Sequence, residues 1–356
     1  TGVNTISSTT TINAGTLIIS GSGSATATTI TVNLGGTLTL DNTATAVASR
    51  LGDALALTMN GGNFNFIGNT AQAASETTGA LTLSTGHNTV TITPGTGGAT
   101  TMTFASFSRT AGASVLFRGT SMGSIAGTNV STLLFTAAPA LIGAAGAEGT
   151  TTMSVLKGAY GDTSLSGTGS DMVTVVSNKL RPLTSNEYAG DLQTANANVK
   201  LTADRAAVAT NTNSLILNGF GITNPGGAIT IPISSASLAG NILINSATNI
   251  AGANTTLGIT TTELNILATA NSTISAIIGT ATTGSLTLSG TGNVTLSAAN
   301  PYTSTTFINN ATLTAGVNNA LSSGGVTMRS GLYNLNGNSD TVGAISLTGS
   351  TISTGA

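Results

Sequence analysis

The sequence predicts an all-β chain wound as a parallel β-helix, or β-solenoid. Three observations predict it. Short segments alternate apolar residues with Thr, Ser or Asn, the period of a strand buried on one face. Equivalent segments recur every 19 to 26 residues, as at Leu17, Leu38, Phe64, Val90 and Val115. Glycine-containing pairs separate them, at Gly35-Gly36, Gly61-Gly62 and Gly97-Gly98, and supply the positive φ that tight corners need. A sandwich has strands but not this recurrence, whereas two or three short strands plus their corners make one turn of a solenoid.

Taken in order, residues 1–140 read as rungs, with strands at TLII (16–19), TITV (29–32), TLTL (37–40), LALTM (55–59), NFNFI (63–67), TVTI (89–92) and SVLF (114–117). Inward Leu, Ile, Val and Phe fill a narrow core, and outward Thr and Asn form ladders. Residues 141–212 break the pattern and are expected as an irregular, charged insertion packed on the solenoid. Eleven of the twenty charged residues lie between Glu148 and Arg205. Within it, Arg181-Pro182-Leu183 and Asn186-Glu187-Tyr188 read as surface loop, and 192–208 has weak helical character. Rungs resume over 213–356, where Pro225 and Pro232 fit corners or an edge strand, and Leu313, Leu332 and Ile352 continue the recurrence. At about 22 residues per turn the chain would make about 16 turns.

Composition bounds the function. Charged residues are 6%, mean hydropathy is +0.32 and net charge is −2. Apolar residues are spread evenly, unlike a disordered chain. The charge offers no basic patch, and 3% aromatics leave little for base stacking, so nucleic acid is not an expected partner. The most apolar window, 135–147, falls short of a membrane span. With no cysteine there is neither disulfide nor thiolate site. Nine Lys and Arg make a poor trypsin substrate, which suits exposure outside a cell. A first residue of Thr predicts a chain cut from something longer.

An internal repeat is also present. Residues 4–17 (NTISSTTTINAGTL) align without a gap on 300–313 (NPYTSTTFINNATL), matching at eight of fourteen positions. Residues 286–313 (LTLSGTGNVTLSAANPYTSTTFINNATL) resemble the autotransporter-associated β-strand repeat. The resemblance extends to 4–17, 32–42 and 57–66. Segments 103–113 and 180–183 resemble stretches of very large bacterial surface proteins that carry this repeat. Together these cover about half of the chain. Ser304 stands where the family has glycine, Asn310-Ala311 replaces alanine-glycine, and Ile6 replaces tyrosine. The resemblance implies a right-handed parallel β-helix, secreted or displayed on a bacterial surface, with no catalytic residues.

Few residues suggest chemistry. The one histidine, His87, reads as an exposed turn residue between two strands. Gly119-Thr120-Ser121-Met122-Gly123 matches the G-x-S-x-G elbow, but that elbow needs a strand-to-helix turn on an α/β sheet. Asp41, Asp53, Glu76, Glu263 and Asp340 are scattered. Only Asp162, Asp171, Glu187 and Asp191, with Lys179 and Arg181, offer enough charge for carbohydrate cleavage, and these read as a solvated loop. Asn-x-Ser/Thr triplets at Asn129, Asn254, Asn271, Asn293 and Asn310 are what Asn-, Ser- and Thr-rich text gives by chance. No catalytic, cofactor or metal residue is assigned. The expected function is a structural segment of a bacterial extracellular or surface β-solenoid, a stalk or fibre rather than an enzyme, stacking end to end on copies of itself or on neighbouring repeats of a longer parent chain. A glycan-binding adhesin is the alternative, and a polysaccharide-degrading β-helix the third.

Overall fold

The computed structural model describes residues 5–355 except 225, 253, 261 and 280–282. It is all-β, 48% strand and 1% helical, with parallel sheets stacked as a β-solenoid. About 13 turns form, fewer than expected, because many take 24 to 27 residues. The chain divides into two compact units. Unit 1 is Thr1–Ala140 with Ala159–Pro182, and unit 2 is Leu141–Gly158 with Leu183–Ala356.

In unit 1 one row of parallel strands runs Thr10–Ile12, Thr29–Asn33 and Ala56–Asn60, and a second runs Gly15–Ile19, Gly36–Asp41 and Asn63–Ile67. Strand Leu81–Thr93 serves both rows, its first residues pairing with Ala56–Asn60 and its last with Asn63–Ile67. Gly15, Gly35, Gly61, Gly86 and Gly112 make the corner between the rows in five successive rungs, each at positive φ. A Cβ on Gly86 would lie 2.8 Å from the Gly61 Cα, so both space and φ demand glycine there. Gly97 and Gly98 do not have positive φ. A Cβ on Gly97 would meet Gln72 N at 2.1 Å, so that pair permits close rung stacking instead. A third row, Ala74–Thr78, Thr100–Phe104 and Ser131–Phe135, closes the core. Phe64, Phe104 and Phe135 meet there, with ring centroids 5.9 and 6.2 Å apart.

Leu17, Leu38, Phe64 and Val90 are register partners, but the fifth residue of the column is Phe117, not Val115. The parallel order then stops. Asp171–Val176 runs antiparallel to Ala159–Asp162 and to Lys179–Pro182, and Lys179 pairs antiparallel with Leu134. The stretch expected as loop at 181–183 is therefore partly strand. Leu180 is fully buried, and Pro182 lies opposite Val173.

The segment 141–212, expected as one insertion, is divided between the units. Residues 192–208 hold strands Ala197–Lys200 and Arg205–Ala206, not helix. In unit 2 two eight-stranded parallel sheets run the length of the solenoid, with Ile229–Ser234, Thr255–Ile259 and Ile277–Ile278 as a third side. Pro232 sits in the edge strand of that third sheet, where its missing N–H breaks no ladder. Pro225 lies outside the described residues. The core column Leu215, Ile242, Ile266, Leu288, Ile308, Met328 and Leu347 steps by 27, 24, 22, 20, 20 and 19 residues. Turns shorten as the third strand is lost. In the neighbouring column Leu313 pairs with Tyr333 and then Ile352, so Tyr333 rather than Leu332 enters the core.

Candidate functional site

The polar residues singled out in the sequence are held in structural roles. His87 is not in a turn. It lies within strand Leu81–Thr93, just past the Gly86 corner, half-buried with Nδ1 2.8 Å from Ser114 Oγ. Burial lowers its pKa to about 4. Ser121 of the G-x-S-x-G stretch has φ 53° in an exposed turn, with no helix following. Asp162 and Asp171 belong to unit 1, whereas Glu187 and Asp191 belong to unit 2. Asp162 accepts backbone N–H groups from Ser164 at 2.9 Å and Gly169 at 3.1 Å. Glu187 is buried and accepts from Thr184 N at 2.8 Å and Gly149 N at 3.0 Å. Asp191 accepts from Gln193 N at 3.0 Å. Lys179 donates to Ser124 O at 3.1 Å and Arg181 to Pro182 O at 3.1 Å. These charges hold loops. Among the described residues no three His, Asp or Glu are grouped to hold a metal ion, and no helix is long and apolar enough to cross a membrane.

Two polar networks escaped the sequence reading. In unit 1, Glu76 occupies a core-facing position whose partners in the next rungs are Met102 and Leu133. Its carboxyl accepts the backbone N–H of Arg50 at 2.8 Å and of Leu51 at 2.9 Å. It thus completes the wall where the third row has not yet begun. Burial pushes this carboxyl up to about 7, against the pull of those two N–H bonds and of Arg50. The Arg50 side chain is fully buried and donates to Asn42 Oδ1 at 2.6 Å and to the carbonyls of Gly23, Gly21 and Thr45 at 3.1, 3.0 and 2.8 Å. The one signal for it in the text is spacing, because residues 50 and 76 stand 26 apart, the rung height of this unit.

In unit 2, asparagines clip the strap 141–158 to the outside of the first sheet. Asn198 Nδ2 donates to Met153 O at 2.9 Å and Asn213 Nδ2 to Ile142 O at 3.4 Å. Asn241 Nδ2 donates to Leu156 O at 2.8 Å while its Oδ1 accepts Gly158 N at 2.8 Å. Each amide ties strap backbone to the sheet. Further along, Thr287 donates to the buried Glu263 carboxylate, and Tyr302 OH lies 2.6 Å from Thr306 Oγ1. Burial raises the Tyr302 phenol to about 12.

Two further surfaces stand out among the described residues. One is a shallow groove of about 340 Å³ on the second sheet of unit 2, lined by Asn249, Asn271, Thr273, Asn293 and Thr295. The other is the rung made by Ile345–Thr348 and Thr351–Ser353, the last strands of their sheets. Ile345 and Leu347 stack on Val326 and Met328, both buried, yet are themselves 50% and 47% exposed. Among the described residues they have a rung on one side only. No protein-family model, curated protein or solved structure matches this chain.

Proposed function

We propose that the chain is a structural segment of a bacterial extracellular or surface β-solenoid, serving as a stalk or fibre, of the kind found in the autotransporter-associated repeat family that residues 286–313 resemble. The observation that carries this reading is where the polar side chains are used. Arg50, Glu76, Asp162, Glu187, Asn198 and Asn241 all satisfy backbone groups of neighbouring turns or loops. Parallel ladders put the backbone hydrogen bonds of each rung along the stack, so separating rungs requires breaking a row of bonds together. Few basic residues and short corners suit a chain exposed to proteases. Pulling single molecules from both ends tests this. The expected trace is a series of resisted unfolding events, each releasing one or a few turns. Extension without resistance would overturn the reading.

A glycan-binding adhesin is supported by one specific feature, the Asn- and Thr-lined groove. Thr273→Arg would fill it without touching the core. Loss of binding on a glycan array, with hydrogen exchange unchanged, would favour adhesion over a purely structural role.

A further inference from the structure

We infer that Asn218 is a site of spontaneous covalent modification, the Asn-Gly pair that folding leaves open to cyclise through its own backbone. The inference holds whether the chain is a stalk or an adhesin. An asparagine followed by glycine is chemically labile. Glycine has no Cβ, so its backbone nitrogen can reach the preceding side-chain amide. Here Gly219 N loses its proton to solvent base and bonds to Asn218 Cγ. The Cγ–Nδ2 bond breaks, and Nδ2 leaves as ammonia. Water then opens the resulting cyclic imide at either carbonyl. One opening leaves aspartate at position 218. The other leaves isoaspartate, in which the main chain runs through the former side-chain carboxyl. Neither step needs an oxidant, a metal or an enzyme.

The sequence holds three such pairs, Asn60-Gly61, Asn218-Gly219 and Asn336-Gly337. Their glycines have φ of 88°, 81° and 78°, so backbone conformation does not separate them. Hydrogen bonding does. Gly61 N donates to Asn88 Oδ1 at 2.7 Å, and the Asn60 amide is itself tied, Nδ2 donating to Asn33 Oδ1 at 2.8 Å. Gly337 N donates to Thr354 O at 2.8 Å. Each of these nitrogens must break a bond before it can attack. Among the described residues Gly219 N has no such acceptor, and the Asn218 amide has no partner. Asn218 ends strand Thr212–Asn218 where the register slips against Ser246, and both it and Gly219 are exposed. A Cβ placed on Gly219 would meet nothing closer than Ser246 Oγ at 3.4 Å, so the ring has room to form. Gly219 lines a shallow cavity of about 330 Å³ with Gly221 and Asp204, whose Oδ1 accepts Gly221 N at 2.8 Å. Modification therefore adds a carboxylate beside a groove that already holds one, and makes the chain one charge more negative than −2.

The test holds the freshly purified full chain folded at mildly alkaline pH, beside a sample unfolded in urea. Isoelectric focusing resolves new acidic forms, and peptide mapping by mass spectrometry locates them. An isoaspartyl methyltransferase labels the isoaspartate product alone. In the folded chain Asn218 is expected to convert about tenfold faster than Asn60 and Asn336, the lag imposed by one hydrogen bond that must open first. In urea the three rates should converge, because glycine follows each asparagine. Asn218→Gln, at an exposed position, should remove the first acidic form and leave the later ones. Equal rates at the three sites in the folded chain overturn the inference, as does earlier conversion at Asn60 or Asn336. An Asn218 that stays intact in the folded chain while the urea sample converts overturns it as well.

Discussion

Unit 1 and unit 2 solve the same problem differently. Unit 1 keeps three sides, turns of 24 to 27 residues over most of its length, and an aromatic core. It then ends its parallel order with an antiparallel hairpin that joins two rows. Unit 2 starts as wide, at 27 residues per turn, narrows to 19, loses its third side, and has a mainly aliphatic core. A hairpin whose strands reverse direction offers no parallel ladder to extend. Among the described residues only unit 1 places a fully buried arginine in its wall. The difference teaches that rung repetition sets the architecture, while a few non-repeating polar residues decide where it starts and stops.

The largest way to break the comparison is Arg50→Ala. It removes four side-chain donations and leaves the Glu76 carboxyl without its buried countercharge, a loss expected at about 3–5 kcal/mol. Hydrogen exchange should show residues 23–60 losing protection while 263–296 is unchanged.

Next in size is a pH effect in unit 1. The folded Glu76 pKa, about 7, lies above its ordinary value of 4.5. The folded state therefore holds a proton that the unfolded chain releases. The contribution is full below pH 4.5 and falls as pH rises to about 7, by up to about 3 kcal/mol. His87 acts oppositely. With a folded pKa of about 4, its contribution is present above pH 6.5 and is lost as pH falls toward 4. Denaturant midpoints against pH should show Glu76→Gln flattening the decline from pH 5 to 7 and His87→Gln flattening the loss on the acid side.

Asn241→Ala should be smaller, about 1–3 kcal/mol, from two buried bonds to the strap. Its readout is faster trypsin cleavage after Lys157, with the cores intact. The smallest effect belongs to Leu347→Lys, expected within about 0.5 kcal/mol because the site is half exposed. Met328→Lys, one rung inward and fully buried, should unfold that end of unit 2.

The solenoid was legible because inward residues recur at a fixed interval and their chemistry is unmistakable, as at Leu38, Phe64 and Val90. Register failed where corners changed length. The longer corner ending at Gly112 moved the core column from Val115 to Phe117, and one extra residue before Tyr333 exchanged faces with Leu332. Charge and proline made 181–183 look like loop, although an antiparallel strand accommodates both. The Asn241 clip spans 83 residues of sequence to Gly158. In a chain this rich in asparagine, nothing local distinguishes an amide that binds a strap from one that faces water.

The strap has a consequence for how the chain reaches its native state. Residues 141–158 belong with unit 2, yet 159–182 return to unit 1 before the rest of unit 2 follows. No single cut in the sequence yields both units whole. A chain emerging from its N-terminus must hold 141–158 without these clips until Asn198, Asn213 and Asn241 appear, up to 85 residues later. The closing antiparallel strands of unit 1 are complete before that moment. Order of emergence, rather than relative stability, then dictates which part matures first.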